Sequence, residues 1–427
     1  MPHSDFAAAE RHVTREAVRD TLIDMVDIAS PTGGEAAMAE YVVGRLAAGG
    51  IDSYLQEVDE GRPNAVGEIA GTGDGLNLLF TGHMDTSYRG DEDYFAGDGF
   101  KARAVERDGW IWGLGAMNMK SGLAAALVAI EAIARSGAKL AGDVSYGAVV
   151  GEIEKAPVEE FRGIAYSGYG AGSKHLVTHG VTADFAILAE PTGLRVCTAN
   201  MGVIWARISV AGTIAHSAFP RQPDQVNAID LTAALHAELK TWIRNYEQSH
   251  EYMGQHPNVT IAAIRGGDPW RLARNAHGCS LYLDIRTVPG QSAEAITREL
   301  RQLLARFAAS TGTPAASLRL YVTDPAVSIT EDLPVVDALG RAQRRLTGER
   351  PASIIRRPGA DGVHFTSYGI PCAVFGPAGR LHPDRAGEAM HAVGEHVSVD
   401  DVLTAARIYL ATALDLCNRP APRAKDA

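Results

Sequence analysis

The stretch Leu76-Asn-Leu-Leu-Phe-Thr-Gly-His83-Met-Asp85 decides the fold, because it passes from a buried strand to a polar loop. Leu76–Thr81 is an apolar run of strand length, and Gly82 allows the chain to turn. His83 and Asp85 are two residues apart, so their side chains point to the same side of an extended backbone. Neutral imidazole binds ions such as Zn²⁺ and Mn²⁺, and a nearby carboxylate fixes its tautomer. The stretch predicts a metal-binding strand end; a hydrogen-bonded turn is the structural alternative.

Similar apolar runs alternate with helical segments along the first half of the chain. The predicted strands are 65–70, 76–81, 144–150 and 184–189, and the predicted helices are 15–29, 36–48 and 121–135. Apolar strands that alternate with helices indicate a sheet covered on both faces by helices. Ligands of such sheets bind at strand ends, where the polar clusters of this chain fall.

The pattern changes after residue 200. Strands at 202–210, 258–264, 280–286 and 317–322, with helices at 226–247 and 292–309, have the β-α-β-β-α-β order of a ferredoxin-like sandwich. Apolar strand and helix patterns resume at 371–376 and 398–418. We therefore expect an α/β fold with a mixed central sheet flanked by helices. Its catalytic domain would comprise residues 1–201 and 323–427, with an inserted α+β lid or dimerisation domain at 202–322.

Composition limits the classes of partner and compartment. The chain has 427 residues, a natural length for two domains, and its net charge of −11 argues against a nucleic-acid partner. The longest apolar stretch, 123–134, is too short to cross a membrane, and residues 1–20 do not resemble a signal peptide. Four widely spaced cysteines fit a reducing cytoplasm, which we predict as the location. Residues 419–427 predict a disordered tail.

Four further polar clusters follow apolar runs. Asn118 lies in a glycine-rich segment, 113–122, where its amide oxygen would either bind a metal or cap the following helix. Glu152 follows the strand at 144–150 and is placed as a general base, with a solvated carboxylate as the alternative. Glu190 ends the strand at 184–189. His391 precedes Glu395 by four residues, and a hydrogen bond between the two is its structural alternative.

Taken in order, these clusters resemble the di-zinc aminoacylase and carboxypeptidase family, which includes acetylornithine deacetylase and succinyl-diaminopimelate desuccinylase. The resemblance covers roughly residues 15–415 and implies a zinc-exopeptidase-like catalytic domain, with an inserted lid that forms a homodimer or higher homo-oligomer. It also implies the role of each matching residue. The implied metal positions are His83, Asn118, Glu190 and His391, the catalytic residues are Asp85 and Glu152, and the substrate contacts from the insertion are His216, Asn258 and Arg286.

Two positions depart from the family pattern. Asn118 replaces the carboxylate that bridges two metals, and Ile153 replaces the carboxylate ligand of the first metal. Two divalent ions about 3.5–4 Å apart repel each other by roughly 15–20 kcal/mol at an effective dielectric of about 20, and a bridging carboxylate offsets part of this. An amide carries no compensating charge. The sequence therefore predicts one metal ion per chain, unless Glu154 moves into the position that Ile153 leaves without a ligand.

The remaining donors define the ion and the neighbouring contacts. His83, Asn118 and Glu190, completed by water, favour Mn²⁺, and Zn²⁺ and Fe²⁺ also accept this donor set. His391, having lost its usual ion, is expected to contact substrate. His364, in a loop that borders the site in this family, is either a further substrate contact or structural.

The predicted activity is hydrolytic. Glu152 would deprotonate a metal-activated water and pass the proton to a departing nitrogen, while Asp85 orients His83. Within the family, the whole-chain pattern is similar to aminohydrolases of nitro-substituted anthranilate. This resemblance implies conversion of 5-nitroanthranilate and water to 5-nitrosalicylate and ammonia. The alternatives are an amidohydrolase with a conventional two-metal site, such as an N-acyl amino acid deacylase or a carboxypeptidase-like enzyme, and an inactive binding protein that keeps the fold.

Overall fold

The computed structural model describes residues 3–421, without the side chains of His3, Ser4 and His391. The chain folds into two compact units. The first unit consists of three segments: the chain up to Thr198, Ile329–Ile354, and the chain from Ala360 onward. The second unit consists of Ala199–Ser328 and Ile355–Gly359, and it contains the whole predicted insertion, 202–322.

The helices and strands are numbered in chain order. The helices are α1 (His3–Glu10), α2 (Arg15–Asp27), α3 (Ala36–Ala48), α4 (Ser121–Ser136), α5 (Ala171–Thr178), α6 (Ala228–Glu247), α7 (Ala293–Thr311), α8 (Pro334–Thr347), α9 (Gly362–Ser367) and α10 (Val399–Leu416). The strands of the first half are β1 (Asp52–Asp59), β2 (Arg62–Ile69), β3 (Leu78–His83), β4 (Val105–Arg107), β5 (Trp110–Trp112), β6 (Val144–Val149), β7 (Phe185–Leu188) and β8 (Cys197–Asn200). The later strands are β9 (Gly202–Ala211), β10 (Asn258–Gly266), β11 (Gly278–Thr287), β12 (Ser317–Asp324), β13 (Val327–Ser328), β14 (Ile354–Arg356), β15 (Cys372–Val374) and β16 (His396–Ser398).

The central sheet of the first unit has the order β1-β2-β6-β3-β7-β15-β8. β6, β3, β7 and β15 are parallel. β2 pairs antiparallel with β6, β1 pairs antiparallel with β2, and β8 pairs antiparallel with β15, so the predicted mixed sheet is confirmed. Leu78 and Phe80 of β3 pack into one core, and Leu79 packs into a second core on the opposite face. Both faces of the sheet are therefore covered, which explains why β3 is apolar at every position before Thr81.

The first turn of α4 lies very close to the end of β7. A Cβ atom added to Gly122 would lie 1.8 Å from the carbonyl oxygen of Ala189, so only glycine permits this approach. α4 is buried from Ser121 to Ile133, and its many alanines allow close packing against α2 and α10. The close approach brings the segment that precedes α4 to the edge of the sheet where β7 ends.

The second unit contains an antiparallel sheet of order β10-β11-β9-β12. Apolar residues of β9 and β11 alternate with polar ones, and their apolar side chains form a core with α6 and α7. The strand order and the two helices are those of the predicted ferredoxin-like sandwich.

The structure bears on two expectations from the sequence, one about the longest apolar segment and one about the carboxyl-terminal tail. Among the described residues, Ala116–Ser136 alone is long and apolar enough to cross a membrane; its most apolar 18-residue window has a mean hydropathy of 1.3, and 94% of that window is buried inside the fold. The predicted disordered tail is wrong for residues 419–421. The Arg419 carbonyl accepts the N–H of Leu76, and the Ala421 N–H donates to the Asp74 carbonyl. Residues 422–427 lie outside the described residues.

Candidate metal centre and active site

Three parallel strands of the first unit end at one edge of the central sheet, and each brings a polar side chain to it. His83 is the last residue of β3, while Glu152 and Glu190 follow the ends of β6 and β7. β3 pairs with both β6 and β7, so the three strand ends are neighbours. The ligand atoms of these three buried residues all lie within 4.8 Å of one another. The edge of the sheet therefore collects an imidazole and two carboxylates at ligand spacing.

The imidazole of His83 is fully buried and has a defined tautomer. Its Nδ1 lies 2.9 Å from the backbone carbonyl oxygen of Asp85, which only accepts, so Nδ1 carries the proton. Nε2 then presents a lone pair, 3.5 Å from Oε2 of Glu152 and 3.8 Å from Oε1 of Glu190. Among the backbone and side-chain atoms that the structure describes, this nitrogen has no hydrogen-bond partner. A buried lone pair that faces two carboxylates fits a cation ligand in both geometry and charge.

The charge around His83 favours a cation strongly. Burial alone would lower the pKa of His83, but the carboxylates of Glu152, Glu190 and Asp85 together raise it well above its usual value. This shift means that the cluster attracts a proton when no metal is present. The same negative charge would attract a divalent ion to Nε2, in competition with that proton.

Asp85 has a second task beside the predicted one of orienting His83. Its carboxylate lies 3.4 Å from Nδ1 of His83, but it accepts shorter bonds from the backbone N–H groups of Glu152 (3.0 Å) and Ile153 (3.1 Å) and from the Thr32 hydroxyl (2.8 Å). Burial opposes ionisation of Asp85, yet His83 and these donors lower its pKa. Asp85 therefore ties the end of β3 to the segment that carries Glu152, while its backbone carbonyl orients His83.

Asn118 lies in a tight turn before α4, and its side chain does not cap the helix. Lys120 occupies the N-cap position, without a capping side-chain bond, so the capping interpretation of Asn118 is wrong. The backbone of Asn118 is non-helical (φ −124°, ψ 95°), and its buried Oδ1 has no hydrogen-bond partner among the described residues. An amide oxygen that is buried without a donor fits a metal ligand.

Glu395, which is distant in sequence, stabilises the turn that contains Asn118 through hydrogen bonds. Its Oε2 accepts the backbone N–H groups of Met117 (3.1 Å) and Asn118 (2.9 Å). Its own backbone pairs with Gly99 and Gly113. From the sequence, Glu395 was predicted only as a hydrogen-bond partner of His391. Its contact with the turn that contains Asn118 was not predicted. The four-residue spacing between those two residues gave no signal of a contact across the fold.

The position at which the family resemblance implies a carboxylate carries an apolar side chain. Ile153 is 8% exposed, so it is packed rather than solvated. Glu154 is exposed to solvent and does not belong to the cluster around His83. In this structure, Glu154 does not replace the lost ligand.

A second group of buried polar residues lies in the same unit. The Ser173 hydroxyl donates to Asp361, whose other carboxylate oxygen is 3.8 Å from Nε2 of His364. Burial raises the pKa of Asp361 to about 7 and lowers the pKa of His364 to about 3. His364, a predicted substrate contact, is thus a neutral side chain that is 7% exposed, beside Gly170. Ser173 was not anticipated, because no motif in the sequence marks it.

The other predicted substrate residues are placed as follows. His216, Asn258 and Arg286 belong to the second unit. Asn258 and Arg286 lie opposite each other on β10 and β11, and the Arg286 guanidinium makes two 2.7 Å bonds to Asp284. His216 accepts the N–H of Ala218 within a loop. His391 lies in the short turn Met390–Ala392, and its side chain is outside the described part. Their contacts with substrate stay predictions.

These features fit a class of protein: a hydrolase of mixed α/β fold whose candidate metal-binding residues meet at the carboxyl edge of the sheet. The family model of Peptidase family M20/M25/M40 matches residues 79–415, and the chain belongs to this family. The predicted family is confirmed. The chain is a metal-dependent hydrolase that acts on carbon–nitrogen bonds.

Relatives of known name support this class. The chain is 26% identical to an N-formyl-4-amino-5-aminomethyl-2-methylpyrimidine deformylase of Bacillus subtilis, over 93% of each chain. It is 28% identical to a succinyl-diaminopimelate desuccinylase of Gluconacetobacter diazotrophicus, over 79% of this chain and 80% of the relative. A tripeptidase structure from Staphylococcus aureus matches the fold with a TM-score of 0.74 at 20% identity, covering 95% of this chain and 99% of that one.

Proposed function

We propose that the first unit holds one divalent metal ion, with Mn²⁺ favoured, through His83, Asn118 and Glu190. The buried, unpaired Nε2 of His83 and Oδ1 of Asn118 support this ligand set. The single observation that carries the ion count is Ile153, a buried apolar side chain in the position where the family has a carboxylate. A neutral amide at position 118 adds to the argument, because it offers no charge to offset the repulsion between two ions.

Glu152 is the proposed general base. A bound divalent ion supplies Lewis acidity, which brings the pKa of water near it into the neutral range. Oε2 of Glu152 lies 3.5 Å from Nε2 of His83, so the carboxylate borders the ion that this nitrogen would bind. It would take a proton from the attacking water and give it to the departing nitrogen. Asp85 fixes the backbone of Glu152 and thereby limits the directions in which the carboxylate can point.

The proposed reaction is the hydrolytic deamination of an aromatic amine, 5-nitroanthranilate, to 5-nitrosalicylate and ammonia. The oxygen of water bonds to the ring carbon that carries the amino group, and the nitro group accepts the electron pair. The carbon–nitrogen bond then breaks, and the nitrogen leaves as ammonia with the proton from Glu152. A substrate with its own electron acceptor suits a centre with only one cation. The proposed contacts to substrate are His364, His391, His216, Asn258 and Arg286.

The second candidate function is the hydrolysis of an amide, releasing an amine from an acyl group. The names of the relatives, a deformylase and a desuccinylase, favour it. This function would require the more conventional pair of ions, with the second ion held despite Asn118 and Ile153. The number of ions per chain therefore separates the two candidates.

The test uses the full chain loaded with Mn²⁺. 5-Nitroanthranilate, an N-formyl amine and an N-succinyl amino acid are incubated with it, and ammonia and the organic products are quantified. We expect ammonia and 5-nitrosalicylate from the first substrate, at about one Mn²⁺ per chain. Release of free amine from the acyl substrates alone, at two ions per chain, would reverse the assignment.

Substitution of the base tests the mechanism in either case. Glu152→Gln is expected to lower kcat by about 10²–10⁴-fold, because the amide cannot accept the proton. Glu154→Gln is the matched control, because Glu154 is exposed and lies two residues away. Full turnover by Glu152→Gln would exclude Glu152 as the base.

We also propose that the chain forms a homodimer or higher homo-oligomer through the second unit and acts in the cytoplasm. β10 is the edge strand of that unit's sheet and is largely exposed, which supports association there. Size-exclusion chromatography with light scattering measures the assembly.

A further inference from the structure

The buried Arg62 of β2 forms an ion pair with Glu35, the residue before α3. Both side chains are at most 1% exposed. Nε and Nη2 of Arg62 donate to the two carboxylate oxygens of Glu35, and the bond from Nε is 2.9 Å long. Removing two charges from water costs free energy that their attraction only partly offsets, so a buried pair is weak evidence of a stabilising role. Its two-point geometry does fix the plane and direction of the guanidinium.

The guanidinium of Arg62 also contacts the loop that contains Glu152. This loop, residues 151–170, follows β6 and leads to α5, and it is called the Glu152 loop. A Cβ atom added to Gly151 would lie 2.8 Å from Nη2 of Arg62, so the guanidinium packs on the residue before Glu152. Nη1 of Arg62 donates to two backbone carbonyl oxygens of the loop, those of Ile164 (3.0 Å) and Ser167 (2.9 Å).

The segment between α2 and α3 supports Glu152 by two routes. The N–H of Glu152 donates to Asp85 (3.0 Å), and Asp85 also accepts the Thr32 hydroxyl (2.8 Å). Thr32 lies three residues before Glu35 on this segment. Thr32 thus acts through Asp85, and Glu35 acts through Arg62. The backbone of Glu152 is held within a closed set of buried contacts.

We propose that Arg62 is a positioning residue for Glu152, and that Glu35 fixes Arg62 for this task. The inference rests on the proposed role of Glu152 as the base. A displacement of about 1 Å at a reacting group costs on the order of 10²-fold in rate, so a shift of the Glu152 loop would disable the base. The proposed metal ligands lie outside this loop, so the shift would leave metal binding intact. Arginine is needed rather than lysine, because its planar fork donates to Glu35 and to two carbonyls at once.

The experiment is a double-mutant cycle on the full chain loaded with Mn²⁺. Wild type, Arg62→Lys, Glu152→Gln and the double variant are assayed with 5-nitroanthranilate and with an N-formyl amine. We expect Arg62→Lys to lower kcat by about 10–100-fold, with KM and Mn²⁺ affinity changed by less than about threefold. In the Glu152→Gln background, the same substitution should change kcat by less than about threefold, because residues that act as a unit are non-additive. A purely structural role would give the same loss in both backgrounds.

Two further variants serve as controls. Arg45→Lys is the matched one, because Arg45 of α3 makes a similar two-point pair with Glu131 of α4 (3.1 and 3.0 Å), and its kcat should stay within about threefold of wild type. Glu35→Gln keeps a hydrogen-bond partner for Arg62 without the charge. It should show the same non-additivity with Glu152→Gln, and it takes the place of Arg62→Lys if that variant does not fold.

Hydrogen exchange of the metal-free chain measures the anchoring of the loop without any substrate. Peptides that cover residues 151–170 should exchange at least about tenfold faster in Arg62→Lys and Glu35→Gln than in wild type. Unchanged exchange there, or equal kcat losses from Arg62→Lys in both backgrounds, would overturn the inference. Full turnover by Glu152→Gln would overturn the proposed base and this inference with it, and that result is distinct because Arg62 is unchanged in that variant.

Discussion

The most informative perturbation restores the two carboxylates that the family pattern has and this chain lacks. The double variant Asn118→Asp/Ile153→Glu supplies a charged bridge and a charged ligand at the two positions where the family resemblance implies carboxylates. We expect the wild type to bind one Mn²⁺ per chain and the double variant to bind two. The reason is that each added negative charge offsets the repulsion between neighbouring cations.

The loss of stability that the added carboxylate at position 153 causes in the metal-free protein can be worked out from the geometry. The backbone nitrogen of Ile153 is 3.1 Å from Oδ2 of Asp85, and the side chain of Ile153 is only 8% exposed. A carboxylate on this side chain would lie within about 6 Å of that charge, which corresponds to a repulsion of roughly 3 kcal/mol at an effective dielectric of about 20. The metal-free variant should lose about this much free energy of unfolding, and saturating Mn²⁺ should restore it.

The assay combines metal analysis with urea unfolding. Mn²⁺ per chain is measured after dialysis, and the free energy of unfolding is measured with and without Mn²⁺. Ile153→Gln is the matched control, because it places a polar side chain of similar length at the same position without charge. Two Mn²⁺ ions in the wild type, or one in the double variant at full stability without metal, would refute the argument that these two residues set the ion count.

Three further predictions concern residues around the centre. Glu395→Gln should weaken Mn²⁺ binding by about 10–100-fold, because it disturbs the turn that presents Asn118, and unchanged affinity in equilibrium dialysis would contradict this role. Lys120 is buried, which lowers its pKa to about 7, so the unfolded chain binds more protons between pH 7 and its usual 10.5. Stability should therefore rise with pH across that window by roughly 4–5 kcal/mol, and Lys120→Met should flatten this rise in metal-free urea titrations. Gly82→Ala would place a Cβ atom 2.1 Å from Cε of Met119, so thermal unfolding should show a loss of about 1–3 kcal/mol; no loss would mean that Met119 moves freely.

The strands that carry the centre were predictable because both of their faces are buried. β3, β6 and β7 are apolar at almost every position, and each is followed by a polar residue that a buried strand would not tolerate. Their boundaries differed from the predicted ones by at most two residues, because the ends of strands are set by pairing with neighbours rather than by local composition. The ferredoxin-like insertion was predictable for a related reason: alternating residues in β9 and β11 reflect one buried and one polar face.

The roles of individual side chains were less predictable. The spacing of His83 and Asp85 indicated a carboxylate that orients an imidazole. The Asp85 carboxylate lies 3.4 Å from Nδ1 of His83, and the backbone carbonyl of Asp85 lies closer, at 2.9 Å. The Asp85 carboxylate also accepts two N–H groups from the segment after β6, which face it once the strands are paired. The sequence separates these groups by 67 and 68 residues, so no local pattern could show the contact.

What the sequence by itself determined is the chemical inventory: a strand-end imidazole, an amide and an isoleucine where the family has carboxylates, and two glutamates after apolar strands. These are facts of residue type and short spacing, and they decide the charge available to a metal. Only the tertiary structure decided which of these groups form hydrogen bonds with one another and which have no partner. Glu395 reaches the backbone of Asn118 across 277 residues, Ser173 reaches Asp361 across 188, and Nε2 of His83 is left without a donor among the described residues. Such contacts depend on how close-packed elements approach one another, and packing is a property of the whole fold rather than of any segment.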